Sequence, residues 1–179
     1  YNYRSPGGKY NAAHSSVGVT ITDVKTGQTV YTVPDIDFVG AAFSHDSKKI
    51  YFTTADDLHV FDIATKQRIK QVHYDKASVG SLSTSPDGKY LAVGKFQNEW
   101  TKIPEKFYVA DYSIDLLDPN TLEPIRRLEG HNGNVTTLDF TPDNKYLISG
   151  SLDGSIRFWD PATGKQEFVL YGKSPGEYF

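Results

Sequence analysis

Serine, histidine and aspartate come together in the last third of this chain as His131, Ser149 and Asp153. Those residue types can carry nucleophilic acyl transfer, but only as a base touching the hydroxyl, an acid orienting the base, and donors facing a cleft. The other histidines, His14, His45, His59 and His73, fall in separate stretches and offer no shared metal site. Asp35/Asp37 and Asp56/Asp57 could in principle act as acid and base or bind calcium. Aspartate in such places is first a turn residue, because its carboxylate accepts local backbone hydrogen bonds. No glycine-rich phosphate cradle follows a strand and opens a helix. Cysteine is absent, which excludes disulfides, thiolate zinc sites and a cysteine nucleophile. The sequence therefore predicts no catalytic residues, no metal ligands and no cofactor.

The elements that would position these residues follow a repeat. Ser85-Pro86-Asp87-Gly88-Lys89-Tyr90-Leu91 returns as Thr141-Pro142-Asp143-Asn144-Lys145-Tyr146-Leu147, as Ser44-His45-Asp46-Ser47-Lys48-Lys49-Ile50 and as Ser5-Pro6-Gly7-Gly8-Lys9-Tyr10. Each is a turn leading into an apolar strand. A second marker, aspartate with threonine three residues on, recurs as Asp23/Thr26, Asp62/Thr65, Asp118/Thr121 and Asp160/Thr163. Both markers repeat about every 40 residues, the spacing of a four-stranded propeller blade, and both show one insertion of roughly 14 residues in the third unit.

Between the markers, apolar residues alternate with a period of two, and nowhere do they keep helical spacing for more than a turn. In the fourth unit the strands a to d are predicted at 135–140, 146–150, 155–159 and 166–171. In the first three units strand c is predicted at 17–22, 58–61 and 113–117, and strand d at 29–33, 67–72 and 124–128. The expected blades are 1–34, 35–76, 77–130 and 131–172, with 173–179 as a linker or tail.

The fourth unit also contains Gly130-His131, Ser149, Asp153-Gly154 and Trp159-Asp160. In these residues, and in its period and turns throughout, the chain resembles the WD-repeat β-propeller family. The resemblance implies an all-β fold, a β-propeller of about four blades of four antiparallel strands, and a buried hydrogen-bonded tetrad of His131, Ser149, Asp153 and Trp159. A satisfied polar chain of that kind fixes a loop on its blade, and it leaves no cleft in which the histidine and serine could act on a substrate. Thr22, Phe61 and Leu117 stand at the tryptophan position of the other units, so those blades are expected to be held mainly by packing. Such degeneracy resembles the divergent prokaryotic propellers.

Composition agrees with a core-forming chain. It has 179 residues, 38% hydrophobic and 13% aromatic, and a formal net charge of −3. Lysines are scattered among aspartates, so no basic face is set up to meet a phosphate backbone and no nucleic-acid partner is expected. No apolar run approaches the ~20 residues of a membrane span. The compartment is left open, with an extracytoplasmic one slightly favoured by the lack of cysteine. The first strand of the first unit is clipped and methionine is absent even at position 1. The expectation is a segment of a larger ring, about seven-bladed, whose remaining blades lie in the same or another chain.

The one stretch the repeat does not require is 96–109, between strands b and c of the third unit. It carries Phe96, Trp100, Lys102, Phe107 and Tyr108, with Lys95, Glu105 and Lys106 beside them. Rigid aromatics interleaved with charge have hot-spot composition. By the family's geometry the loop lies on the face that meets ligands, although a loop of this kind can also fold back over its own blade. The expected function is a scaffold that docks a protein or peptide partner on this face. The alternative is a propeller domain of a periplasmic redox enzyme resembling the amine dehydrogenases, with its cofactor outside the segment.

Overall fold

The computed structural model describes residues 2–15, 18–34, 38–75, 77–97 and 110–172. They form four separate four-stranded antiparallel sheets, each built from consecutive strands. The first contains β1 (Asn2–Arg4), β2 (Tyr10–Ser15), β3 (Gly18–Asp23) and β4 (Thr29–Pro34). The second contains β5 (Gly40–Phe43), β6 (Lys49–Thr53), β7 (Asp57–Asp62) and β8 (Gln67–His73). The third contains β9 (Ser78–Thr84), β10 (Leu91–Phe96), β11 (Ile114–Leu117) and β12 (Pro124–Leu128). The fourth contains β13 (Val135–Phe140), β14 (Leu147–Ser151), β15 (Ser155–Trp159) and β16 (Gln166–Tyr171). Among the described residues one 3-10 turn, Pro6–Gly8, interrupts the strands. This is the predicted set of four blades, with strand ends displaced by a residue or two.

The c-to-d marker is a turn with the same local chemistry in all four blades, and the a-to-b marker in the last three. In the a-to-b turn, the hydroxyls of Ser44, Ser85 and Thr141 donate to Asp46, Asp87 and Asp143 at 2.7, 2.7 and 2.6 Å. The same oxygens accept the N–H five residues on. In the c-to-d turn, Asp23, Asp62, Asp118 and Asp160 each accept the N–H of the threonine three residues later. The next residue in each, Gly27, Lys66, Leu122 or Gly164, lies at positive φ and returns its N–H to the aspartate carbonyl. Just before each turn the c–d pairing slips by one residue, at Ile21/Thr22, Val60/Phe61, Leu116/Leu117 and Phe158/Trp159. The bulge puts Thr22, Phe61 and Leu117 in the place of Trp159.

Strand alternation gives every blade one face toward the preceding blade and one toward the next. Three clusters fill the seams. Ile21, Val33, Phe43 and Phe61 close the first, Leu58, Val60, Leu91 and Leu117 the second, and Leu116, Leu128, Leu147 and Trp159 the third. The forward face of the fourth blade has no such cover among the described residues. Val19, Leu58 and Ile114 are fully buried, whereas Ile156, at the same place in the last blade, is 46% exposed. Its cross-strand partner Leu170 is 55% exposed, while Val33 and Leu128 at that position are buried.

The backward face of the first blade is different in kind. Its c and d strands present Thr20, Thr22 and Thr32, and the Thr20 and Thr32 hydroxyls share a hydrogen bond of 3.2 Å.

The a-to-b and c-to-d turns share one edge of the sheets, where the Val24 and Ile63 N–H groups donate to the Lys9 and Lys48 carbonyls. The b-to-c and d-to-a connections share the other, where Tyr74, Val79 and Leu152 donate across to Asp56, Ala55 and Asn134. This second edge is the one that carries the candidate residues.

Candidate functional site

In the fourth blade the four residues expected to form a tetrad lie within hydrogen-bond distance in sequence. The Trp159 indole N–H donates to Ser149 Oγ at 2.8 Å, Ser149 Oγ meets His131 Nε2 at 2.7 Å, and His131 Nδ1 meets Asp153 Oδ2 at 2.9 Å. The indole is donor only, so the network assigns the directions: Ser149 donates to Nε2, and Nδ1 carries the proton given to Asp153. Burial lowers the His131 pKa from the ordinary histidine value despite the carboxylate beside it. Burial also opposes ionisation of Asp153, but hydrogen bonds from Ser155, the Asn132 N–H and His131 outweigh it and depress its pKa strongly. Gly130 is at positive φ beneath this group, where a Cβ would stand 2.7 Å from Arg157 Nη1 and 3.2 Å from the Trp159 ring. The Gly-His pair is thus a close approach that a side chain would block.

Distances alone would let Ser149, His131 and Asp153 pass for a nucleophilic triad. Burial and the fourth partner decide otherwise. Ser149 has no exposed surface, and its oxygen already accepts the indole N–H. No substrate carbonyl can approach it.

The third blade adds a polar brace to the packing expected to hold the degenerate units. Asp111 precedes Ser113 as Asp153 precedes Ser155, and each carboxylate accepts that serine's N–H, at 3.0 and 2.9 Å. In place of histidine and tryptophan there is Lys95, whose ammonium lies 3.2 Å from Asp111 and 2.9 Å from Asp115 with its side chain only 6% exposed. Arg127 joins Asp111 at 2.9 Å. Burial works against the Asp111 anion, but the Ser113 hydrogen bonding and Lys95 outweigh it and lower its pKa. The Asp-x-Ser spacing was the signal available in the sequence; a buried lysine from β10 was not legible there.

Lys95 and Phe96 therefore belong to β10 rather than to the inserted loop. Phe96 is half-buried over Gly80, where a Cβ would meet its ring at 3.1 Å. Trp100, Lys102, Phe107 and Tyr108 lie outside the described residues. Both stems of the insertion are described. Gln97 donates its N–H to Asn134 Oδ1 of the fourth blade at 2.9 Å, and Asp111 is tied to Lys95 and Arg127.

Sequence reasoning missed a concavity of about 540 Å³ on the same edge, between the first two blades, lined by His14, Phe38, Val39 and 54–57. Asp57 is its best-fixed polar group, accepting from Gln71 Nε2 and paired with His73 Nδ1, each at 3.0 Å. Burial opposes the Asp57 anion, yet these contacts lower its pKa, and Asp57 in turn raises that of His73. Asp56 behaves as the turn residue expected, while Asp57 starts β7. Asp35 and Asp37 lie outside the described residues. Among the described residues no group of three or more histidines and carboxylates converges as a metal site, and no helix is long and apolar enough to cross a membrane.

Four antiparallel blades, packed seam to seam and carrying a Trp-Ser-His-Asp chain, define a segment of a β-propeller. A family model described as "WD domain, G-beta repeat" matches residues 122–160. In that match and in its fold the chain is similar to the WD-repeat β-propellers. It is 33% identical over 91 residues to "Target of rapamycin complex subunit LST8" of Saccharomyces cerevisiae, a match covering 51% of this chain and 26% of that protein. It is 43% identical over 54 residues to the "U3 small nucleolar RNA-associated protein 21" of the same yeast, covering 30% of this chain and 6% of that protein. Over 151 residues it is 27% identical to the "Serine-threonine kinase receptor-associated protein" of Mus musculus, covering 70% of this chain and 43% of that protein. The chain thus spans less than half the length of each of these relatives. They are fungal and mammalian and lend no support to a prokaryotic origin or to the redox-enzyme alternative.

Proposed function

We propose that this segment is part of a non-enzymatic scaffold that docks a protein or peptide on the edge bearing the 96–109 insertion. The observation that carries the reading is the anchoring of both stems of that insertion. One stem is tied to Asn134 of the fourth blade and the other to Lys95 and Arg127 of the third, so an aromatic-rich loop is presented from fixed points. Fixed stems lower the ordering cost of binding. The relatives named as a complex subunit and as a receptor-associated protein favour the same class of role. Phe96, Trp100, Lys102, Phe107 and Tyr108 are the proposed contact residues.

The docking disc is larger than the segment on this reading. The uncovered Ile156 and Leu170 suit a further blade, and the threonine-lined face of the first blade is a poor match for them. We infer a ring of about seven blades, the others supplied by the same or another chain.

Trp100→Ala in the full-length protein tests the docking reading. Once a partner has been purified, the substitution should weaken its binding by roughly 2 kcal/mol or more with little change in melting temperature, as a hot-spot residue does. Unchanged affinity together with a clear loss of stability would show that the loop only covers the disc.

A further inference from the structure

The concavity between the first two blades has walls of opposite character. One wall is the Phe38 ring, set by an edge contact with Tyr3 at 6.0 Å, a tilted contact with His14 at 5.2 Å and an edge contact with Phe52 at 6.4 Å. The other wall is Asp56 and Asp57. Ser78 Oγ donates to Asp56 Oδ1, and Gln71 and His73 engage Asp57 Oδ1. The Oδ2 atoms of both carboxylates have no hydrogen bond among the described residues. Further along the same face of β7, His59 is buried, and its Nδ1 has no hydrogen-bond partner among the described residues.

No lysine or arginine lines the cavity among the described residues. Among the described residues too few ligands converge to hold a free metal ion. An anion would meet two carboxylates. An aromatic face opposite paired carboxylates suits a flat cation that can stack on one side and donate several N–H bonds on the other, which is the chemistry of guanidinium.

We propose that this cavity receives an arginine side chain of the docked partner, its guanidinium held between the Phe38 ring and the carboxylates of Asp56 and Asp57. The proposal rests on the docking reading above and gives it a specificity subsite on the same edge. Lysine fits less well, because its ammonium is compact, more strongly hydrated and has no plane to lay on the ring.

The test uses the full-length protein and fluorescein-labelled Gly-Ser-Arg-Ser-Gly, with a counterpart in which citrulline, the neutral isostere, replaces arginine. Fluorescence anisotropy should show the arginine peptide binding about tenfold or more tightly, with the difference shrinking as salt is raised. Asp56→Asn keeps the acceptor for Ser78 and should abolish the preference without lowering the melting temperature. Phe38→Leu should weaken arginine binding while leaving the citrulline peptide where it was. Equal binding of the two peptides, or a preference that survives Asp56→Asn, would overturn the proposal. If that happens while Trp100→Ala still reduces partner capture, the subsite alone is wrong. If the arginine preference holds while Trp100→Ala changes nothing, the cavity stands and the loop reading falls.

Discussion

Removing the Ser149 hydroxyl tests the direction of the buried chain in the fourth blade, because that oxygen is its central link. Ser149→Ala strands two groups at once, the Trp159 N–H and His131 Nε2, in a place with no exposed surface. An unsatisfied buried polar group costs ~1–3 kcal/mol, so two should cost roughly 3–4 kcal/mol. Trp159→Phe keeps a ring in the seam and strands only a lone pair, since Ser149 can still donate to His131. Its cost is about 1–2 kcal/mol for the hydrogen bond and the smaller ring combined. In the double variant only His131 Nε2 is left without a partner, so the two losses should be less than additive by ~1–2 kcal/mol. Urea denaturation of the full-length protein, checked for a single cooperative transition, measures all three. If Ser149→Ala costs under about 1 kcal/mol, or if the losses add, the chain does not run from indole to carboxylate as assigned.

The third blade should be as sensitive as the fourth. Lys95→Met leaves Asp111 and Asp115 buried without their ammonium and should cost ~3–5 kcal/mol in the same denaturation series, whereas packing alone would predict almost no loss. At the left-handed position of the c-to-d turn, Gly27→Ala should cost ~1 kcal/mol, and Lys66→Gly should recover a comparable strain, with no change in either case arguing against a strained backbone there. Stability should fall as pH drops. His131 and His59 have folded pKa values depressed below the ordinary 6.5, so the unfolded chain takes up protons first and destabilisation begins near that pH. Asp153, depressed from 3.8, adds a further loss below that value, and His131→Gln should flatten the upper part of the profile. His73, raised from 6.5, acts in the opposite sense, its contribution being lost as pH rises past its folded pKa, and His73→Gln should remove that alkaline decline.

The turns and strands were legible because their determinants are local. An aspartate that accepts the N–H three residues on, a serine that accepts the N–H five residues on, and an alternation of apolar side chains are all written within one turn of chain. From these came the period, the four blades, the place of the insertion and the position equivalent to Trp159 in each unit. The tetrad was legible too, because four rare residue types stood together in one unit.

What lay beyond the sequence depends on which residues meet from distant strands and how deeply. In the sequence Lys95 is one of the charges beside the insertion, and only the pairing of β10 with β11 buries it against Asp111 and Asp115. The cavity beside Phe38 exists because His14 of the first blade meets the Phe38 segment and the turn at 54–57 of the second. Ser149 and His131 had the types of a catalytic pair, and it was the depth of the seam, with the indole N–H already on the serine oxygen, that closed off the chemistry. Alternation shows which side chains share a face. Tertiary packing determines which faces are covered, and with that whether a charge is a solvated group, a buried brace or a binding surface.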